Sequence, residues 1–189
     1  MVALVWVAAA QAAWSSDGVS GFAETKNVES HVIDLDTVGG LPPVTATYAR
    51  ALHRFGPVTS PSVSTSFSPG FCFLVSRGVG LQLLFARIDG HPKSAGTPAT
   101  CNFFEEATVS GSDWHTRNGL RIGAAFGVLR RLFPEARSLW EVSQTRWGEP
   151  ARSQVWWLSQ APGFGRRAML VAFVKKSHVA ALGVWIVGH

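Results

Sequence analysis

Apolar and polar positions along the chain change period several times, and each change marks an element. From His31 to Val38 they alternate, with Val32, Ile33, Leu35 and Val38 apolar and Asp34 and Asp36 polar, the period of a strand. Gly39-Gly40-Leu41-Pro42-Pro43 interrupts it. Tyr48, Ala51, Leu52 and Phe55 then recur at helical spacing after Thr45, a residue suited to cap a helix, and Gly56-Pro57 predicts the stop. Residues 58–70 are rich in Ser, Thr and Pro and read as a loop. Phe71–Ser76 and Val79–Ile88 predict two strands joined by a tight turn at Arg77-Gly78, and Phe103–Val109 predicts another. Between them, residues 89–100 form a Gly/Pro-rich loop.

The second half follows a similar plan. Residues 116–123 lead into a helix expected from Ala124 to Leu132, with Phe126, Leu129, Leu132 and Phe133 on its apolar face and Pro134 ending it. Val155–Ser159, Ala168–Val174 and Val179–Val187 predict three antiparallel strands, the last two joined by the polar turn Lys175-Lys176-Ser177-His178. The expected fold class is therefore α+β, built of two short helix-plus-antiparallel-sheet units. Tyr48 to Phe55 and Phe126 to Phe133 both hold an aromatic pair seven residues apart with a proline close behind. That match points to a tandem duplication, although helix amphipathicity alone produces the same pattern. The expected organisation is a signal-peptide-like segment at 1–13, a flexible linker at 14–30, a first unit at 31–110 and a second, basic unit at 111–189.

The start of the chain bears on location. Val2 to Ala13 is apolar apart from Gln11, and Ala10-Gln11-Ala12 fits the small-x-small pattern of a signal peptidase site. The stretch is too short to span a bilayer, and no Lys or Arg precedes it. It reads as a truncated or atypical signal peptide, or else as an internal strand or helix. No later segment is long and apolar enough to cross a membrane. Two cysteines, Cys72 and Cys101, complete the picture of an exported protein with one disulfide. Their bond would close a loop of about 30 residues and stabilise the fold by roughly 3 kcal/mol.

Hydrophobic residues make up 47% of the 189 residues and charged residues 15%, with eight Trp and twelve Phe, so composition excludes a disordered chain. The net charge of +5 is unevenly spread. Residues 1–114 hold six Lys/Arg and nine Asp/Glu, whereas residues 115–189 hold eleven and three. The second half therefore favours an anionic partner, or is simply a solvated basic face. Catalytic signatures are absent. The six His are dispersed with no metal-ligand spacing, there is no GxSxG elbow, and no GxGxxG or GxxxxGK[ST] phosphate loop occurs. No metal and no cofactor are expected. The adjacent Glu105 and Glu106 fall on opposite faces of a strand and cannot act as one dyad.

The remaining candidate is a surface. On a strand, Trp156-Trp157 sends one ring inward and one outward. An outward ring close to Trp147, Arg146, Arg152, Arg166 and Arg167 would make a surface for a protein or a glycan, because Trp and Arg are favoured interface anchors. Packing of both rings in the core is the alternative.

Cys72, Gly80-Leu81-Gln82-Leu83-Leu84-Phe85-Ala86, Cys101, Trp114-His115-Thr116, Gly119-Leu120-Arg121-Ile122-Gly123, Leu129 to Pro134, Trp156-Trp157-Leu158 and Val179 to Trp185 together resemble a family of uncharacterised exported proteins of high-GC bacteria. The resemblance covers more than half of the chain and implies export and a disulfide but no chemistry. More distantly, the order of a Gly-x-x-x-Gly entry, helix, Phe-Pro and strands is similar to the repeat of beta-lactamase inhibitory protein and to small outer-membrane assembly lipoproteins. The chain lacks the lipid-anchor cysteine of the lipoproteins and the second disulfide expected of the inhibitor. An inhibitory role is one possibility that this resemblance implies. The sequence thus predicts an exported, non-enzymatic binding domain for a protein or a polyanionic envelope component, with no nucleic acid expected as partner. A secreted hydrolase with an unrecognised site and a structural cell-envelope protein are the alternatives. A deep pocket with convergent titratable groups would favour the enzyme, and a shallow apolar sheet surface ringed by Arg would favour binding.

Overall fold

A computed structural model describes residues 31–55, 62–64, 71–76, 79–86, 101–144 and 149–188. The segments assigned to the signal-like start and the linker, the Arg77-Gly78 turn, Arg146 and Trp147 lie outside the described residues.

The alternating stretch at 31–38 forms two very short paired strands, β1 (Ile33–Asp34) and β2 (Thr37–Val38), rather than one strand. Asp34 accepts the Leu35 and Arg117 N–H groups, and Asp36 pairs with Arg117 at 2.9 Å, so these carboxylates order the turn. Pro43–Thr45 follows as a 3₁₀ turn, and α1 runs Tyr48–Phe55. The helix is capped by Thr47, not Thr45. The Thr47 hydroxyl accepts the Arg50 N–H at 3.3 Å, because the two prolines hold Thr45 in the preceding turn. Tyr48, Ala51 and Phe55 are the buried face, as their spacing predicts.

Eight strands form one antiparallel sheet. They are β3 (Ser62–Ser64), β4 (Phe71–Ser76), β5 (Leu81–Ala86), β6 (Phe103–Val109), β7 (Arg137–Val142), β8 (Ser153–Gln160), β9 (Arg167–Lys175) and β10 (His178–Val187), in the order β3-β4-β5-β6-β10-β9-β8-β7. The α+β class holds. The stretch read as a loop at 58–70 contains β3, and β7 was not legible in the pattern. Helix α2 (Phe126–Leu132) precedes β7 as α1 precedes β3. Strands of the two sequence halves lie in a single sheet, joined where β6 pairs with β10 from Glu106↔Trp185 to Val109↔Leu182. The β9–β10 hairpin turns through Lys176 (φ 48°) and Ser177 (φ 61°), the two consecutive positive φ angles of a type I′ turn, whose twist matches the flanking strands.

One face of the sheet carries the main core. Leu83, Phe85, Phe104, Leu170, Leu182 and Val184 pack there against α1, α2 and the β1–β2 hairpin. Tyr48 meets Phe85 edge to face at 5.6 Å, and Phe85 meets Phe104 in the same way. The Cys72–Cys101 disulfide lies in this region, both residues at most 1% exposed. It ties β4 to the segment entering β6 across the intervening β5, while the Cys101 carbonyl accepts the Tyr48 N–H. Trp114 is fully buried and its Nε1 donates to the Val79 carbonyl at 2.6 Å, which staples the 110–123 loop to the sheet.

Candidate functional site

Residues on β9 are apolar at both parities. Ala168, Leu170, Ala172 and Val174 belong to the main core, while Met169, Val171 and Phe173 point to the other face. There they join Leu139 and Val142 of β7, Val155 of β8, and Ala181 and Trp185 of β10 in a second apolar cluster. All its members come from strands, and among the described residues no helix packs on it.

Strand register places further side chains on this face, because directly opposed residues of an antiparallel pair share a side. Trp157 opposes Val171 on one flank and Arg137 on the other. The Arg137 guanidinium sits over the Trp157 ring at 4.8 Å, a cation–π contact. Trp185 opposes Met169 and Glu106, and Arg167 opposes Val187. Trp140 is 49% exposed and stacks on Trp185, with centroids 5.3 Å apart and planes 14° apart. Because β7 and β10 are three strand spacings apart, about 14 Å, the two indoles lean toward each other above β8 and β9. Phe173 meets Trp185 edge to face at 5.9 Å. Gly183 makes room for this arrangement, since a Cβ there would stand 2.9 Å from Val171 Cγ2 and 3.2 Å from Phe173 Cε2.

Three polar atoms at these positions have no hydrogen-bond partner, namely Trp157 Nε1, Trp185 Nε1 and Arg167 Nε, and all three are buried. The charge of the face is mainly positive. Arg137, Arg167 and, by alternation, Lys175 stand on it, against Glu106, which accepts the Thr108 hydroxyl at 2.9 Å.

The sequence-predicted surface residues divide. Trp157 and Arg167 stand on the aromatic face. Trp156 stands on the opposite side, under α2, where Phe126 packs against it at 4.7 Å and Arg130 lies over its ring. Arg166 is a brace within the fold, donating to Glu105 and to the Phe104 carbonyl and covering the Phe103 ring. Arg152 occupies the β7–β8 turn at φ 56°, its N–H donating to Val142. Sequence reasoning missed Arg137, Trp140, Phe173 and Trp185. The second apolar parity of β9 was the signal available, because a strand with both sides apolar is covered on both.

Elsewhere, Gly40, Leu41, Pro42, Arg50, His53 and Arg54 line a cleft of about 200 Å³, with no carboxylate among the described lining residues. Among the described residues no three His, Cys, Asp or Glu gather as metal ligands, and no helix is long and apolar enough to cross a membrane. Burial pushes the Tyr48 hydroxyl above its ordinary pKa.

No protein-family model and no curated protein matches the chain. Among solved structures, an extracellular protein containing an SCP domain from Bacillus anthracis is similar at 8% identity with a TM-score of 0.41. The match covers 76% of this chain and 44% of that protein, and at this level it carries neither fold nor function across.

Proposed function

We propose that this chain is an exported, non-enzymatic binding module that takes a protein partner on the helix-free face of β7–β10. The observation that carries this is the half-exposed Trp140 stacked on Trp185, flanked by the exposed Arg137 over the Trp157 ring. Interface cores are enriched in Trp, Met and Arg, and Trp140, Met169 and Arg137 are at least partly exposed here. The disulfide supports an oxidising compartment and hence export. The element order supports the finer reading of a tandem duplication, since each helix is followed by a four-strand meander and the last strands of the two meanders meet at the sheet centre.

The test is site-specific photo-crosslinking of the exported protein in its native setting, with the crosslinker at Trp140 and, as control, at the exposed Arg121 outside the sheet. The expected result is a discrete protein adduct at position 140, absent at 121 and lost when Arg137 and Trp157 are both replaced by Ala. Equal labelling from both positions overturns the reading.

A further inference from the structure

Helix α1 carries three basic side chains at neighbouring positions, Arg50, His53 and Arg54, and with Gly40, Leu41 and Pro42 they line an open cleft of about 200 Å³. Two of the three have a local explanation. His53 and Arg54 fall in the last turn of the helix, where basic residues complement the helix dipole. Arg50 has none. It stands in the first turn, where the dipole favours an anion and where no Asp or Glu occurs. It also lies four residues before Arg54, a spacing at which like charges repel. Arg50 is exposed, and its hydrogen bond within the fold is a long one, from Nη1 to the Thr45 carbonyl at 3.5 Å. A local preference broken twice at one position marks it as a place where function overrides folding.

The facing wall is shaped to receive Arg54. Arg54 Nε donates to the Gly39 carbonyl at 2.9 Å, and its guanidinium lies so close over Gly40 that a Cβ there would collide with Nη2. The main-chain donors of this wall are used inside the fold. The Gly40 N–H donates to the Thr37 hydroxyl and the Leu41 N–H to the Val38 carbonyl, while Pro42 has no N–H. An occupant of the cleft is therefore met by the side chains of α1, and no carboxylate stands among the described lining residues to neutralise them.

We infer that this cleft binds a phosphate group, as the free ion or as a small monoester. Arg50 and Arg54 present two guanidinium forks one helical turn apart, with the His53 imidazole between them in sequence as a further donor. A carboxylate brings one charge and two oxygens, enough for a single fork. A phosphate brings about 1.5–2 negative charges at neutral pH and three acceptor oxygens, enough for both forks and the imidazole. The volume is several times the ~30 Å³ share of one water and below the roughly 300–1,000 Å³ of drug-sized sites, which suits a phosphate with a short ester chain lying against Pro42. The cleft is built on α1, on the helix-bearing side of the sheet, so it stands or falls apart from the β7–β10 face.

The experiment titrates the intact, oxidised protein with inorganic phosphate, glycerol 3-phosphate and acetate, followed by calorimetry and by NMR of the arginine side chains. Ionic strength is held fixed, so that screening does not imitate binding. The expected outcome is a Kd of about 1 mM or tighter for a phosphate probe, shifts in the Arg50 and Arg54 signals, and acetate at least about ten-fold weaker. R50Q should weaken phosphate about ten-fold, as loss of a charge-assisted hydrogen bond implies, and R121Q, outside the cleft, should bind as wild type. R50Q is the deciding variant, because Arg50 is exposed and its replacement leaves the contact of Arg54 with Gly39 in place; a thermal melt checks that it folds. The ester bound more tightly than the ion assigns the cleft to a phosphate monoester, and the reverse or equality assigns it to phosphate itself. Acetate as tight as phosphate overturns the inference. So does equal weakening in R50Q and R121Q, which would mean that only net charge is read. Absence of binding by both phosphate probes at about 10 mM overturns it as well.

Discussion

Replacing Cys72 and Cys101 together by Ala removes a cross-link whose worth can be worked from the structure. The cysteines are 29 positions apart, and in the chain-entropy account a loop of that length raises the free energy of the denatured chain by about 3.6 kcal/mol. Both side chains are buried beside Phe85, Tyr48 and Phe104, so the truncations add a packing loss of about 1 kcal/mol. Against a typical domain stability of about 5–15 kcal/mol, the sum is a large fraction. Urea denaturation in non-reducing buffer, followed by tryptophan emission, measures it. Three samples separate the contributions: oxidised wild type, wild type with reduced thiols, and the double variant. The reduced protein should lose about 3–4 kcal/mol and the double variant about 4–5, with a larger m-value in both because the uncross-linked denatured chain exposes more surface. Reduced wild type within about 1 kcal/mol of oxidised, at unchanged m-value, would refute the reasoning. It would mean that the loop is already confined in the denatured chain.

Tyr48 is the chain's single tyrosine, so tyrosinate absorbance reads it directly. Its raised folded-state pKa means that its share of stability is intact below about pH 10 and is lost as pH rises through the folded value, because the denatured chain releases the proton first. Tyr48→Phe should flatten the fall of melting temperature in that window, and a titration midpoint at the free-tyrosine value would contradict the burial. Two glycines should respond in opposite directions in thermal melts. Gly183→Ala forces a Cβ against Val171, Phe173 and the Ala107 carbonyl and should cost about 1–3 kcal/mol, whereas Gly127→Ala on α2 meets open space and should gain about 0.5–1 kcal/mol. Equal effects would show that the crowding at Gly183 is not real.

What the sequence made legible follows local chemistry. The helical spacing of Tyr48, Ala51 and Phe55 and the apolar runs of β4, β5, β6, β8, β9 and β10 are properties of short windows, and so was the pairing of the only two cysteines. β3 escaped because three residues with two serines resemble a loop. β7 escaped because a bulge between Ser138 and Glu141 breaks its alternation. The position of β10 beside β6 is a non-local choice that no window encodes. The site shows the same limit. Trp157 and Arg167 could be singled out as residue types, but their neighbourhood with Trp140 and Trp185 exists only once four strands are in register. Residue type likewise favoured Trp156 and Arg166, which the fold uses internally.

The strand latest in sequence, β10, sits at the centre of the sheet, with β6 on one side and β9 on the other. A chain halted before His178 therefore lacks its middle rather than its margin. It would hold two separate meanders, each with a bare inner edge of unpaired main-chain groups, on β6 and on β9, and such edges invite pairing with other chains. The sheet closes only after the chain has passed Val187, with a long loop to bring together at that step. C-terminal truncation is thereby far more damaging than the ten residues of β10 suggest.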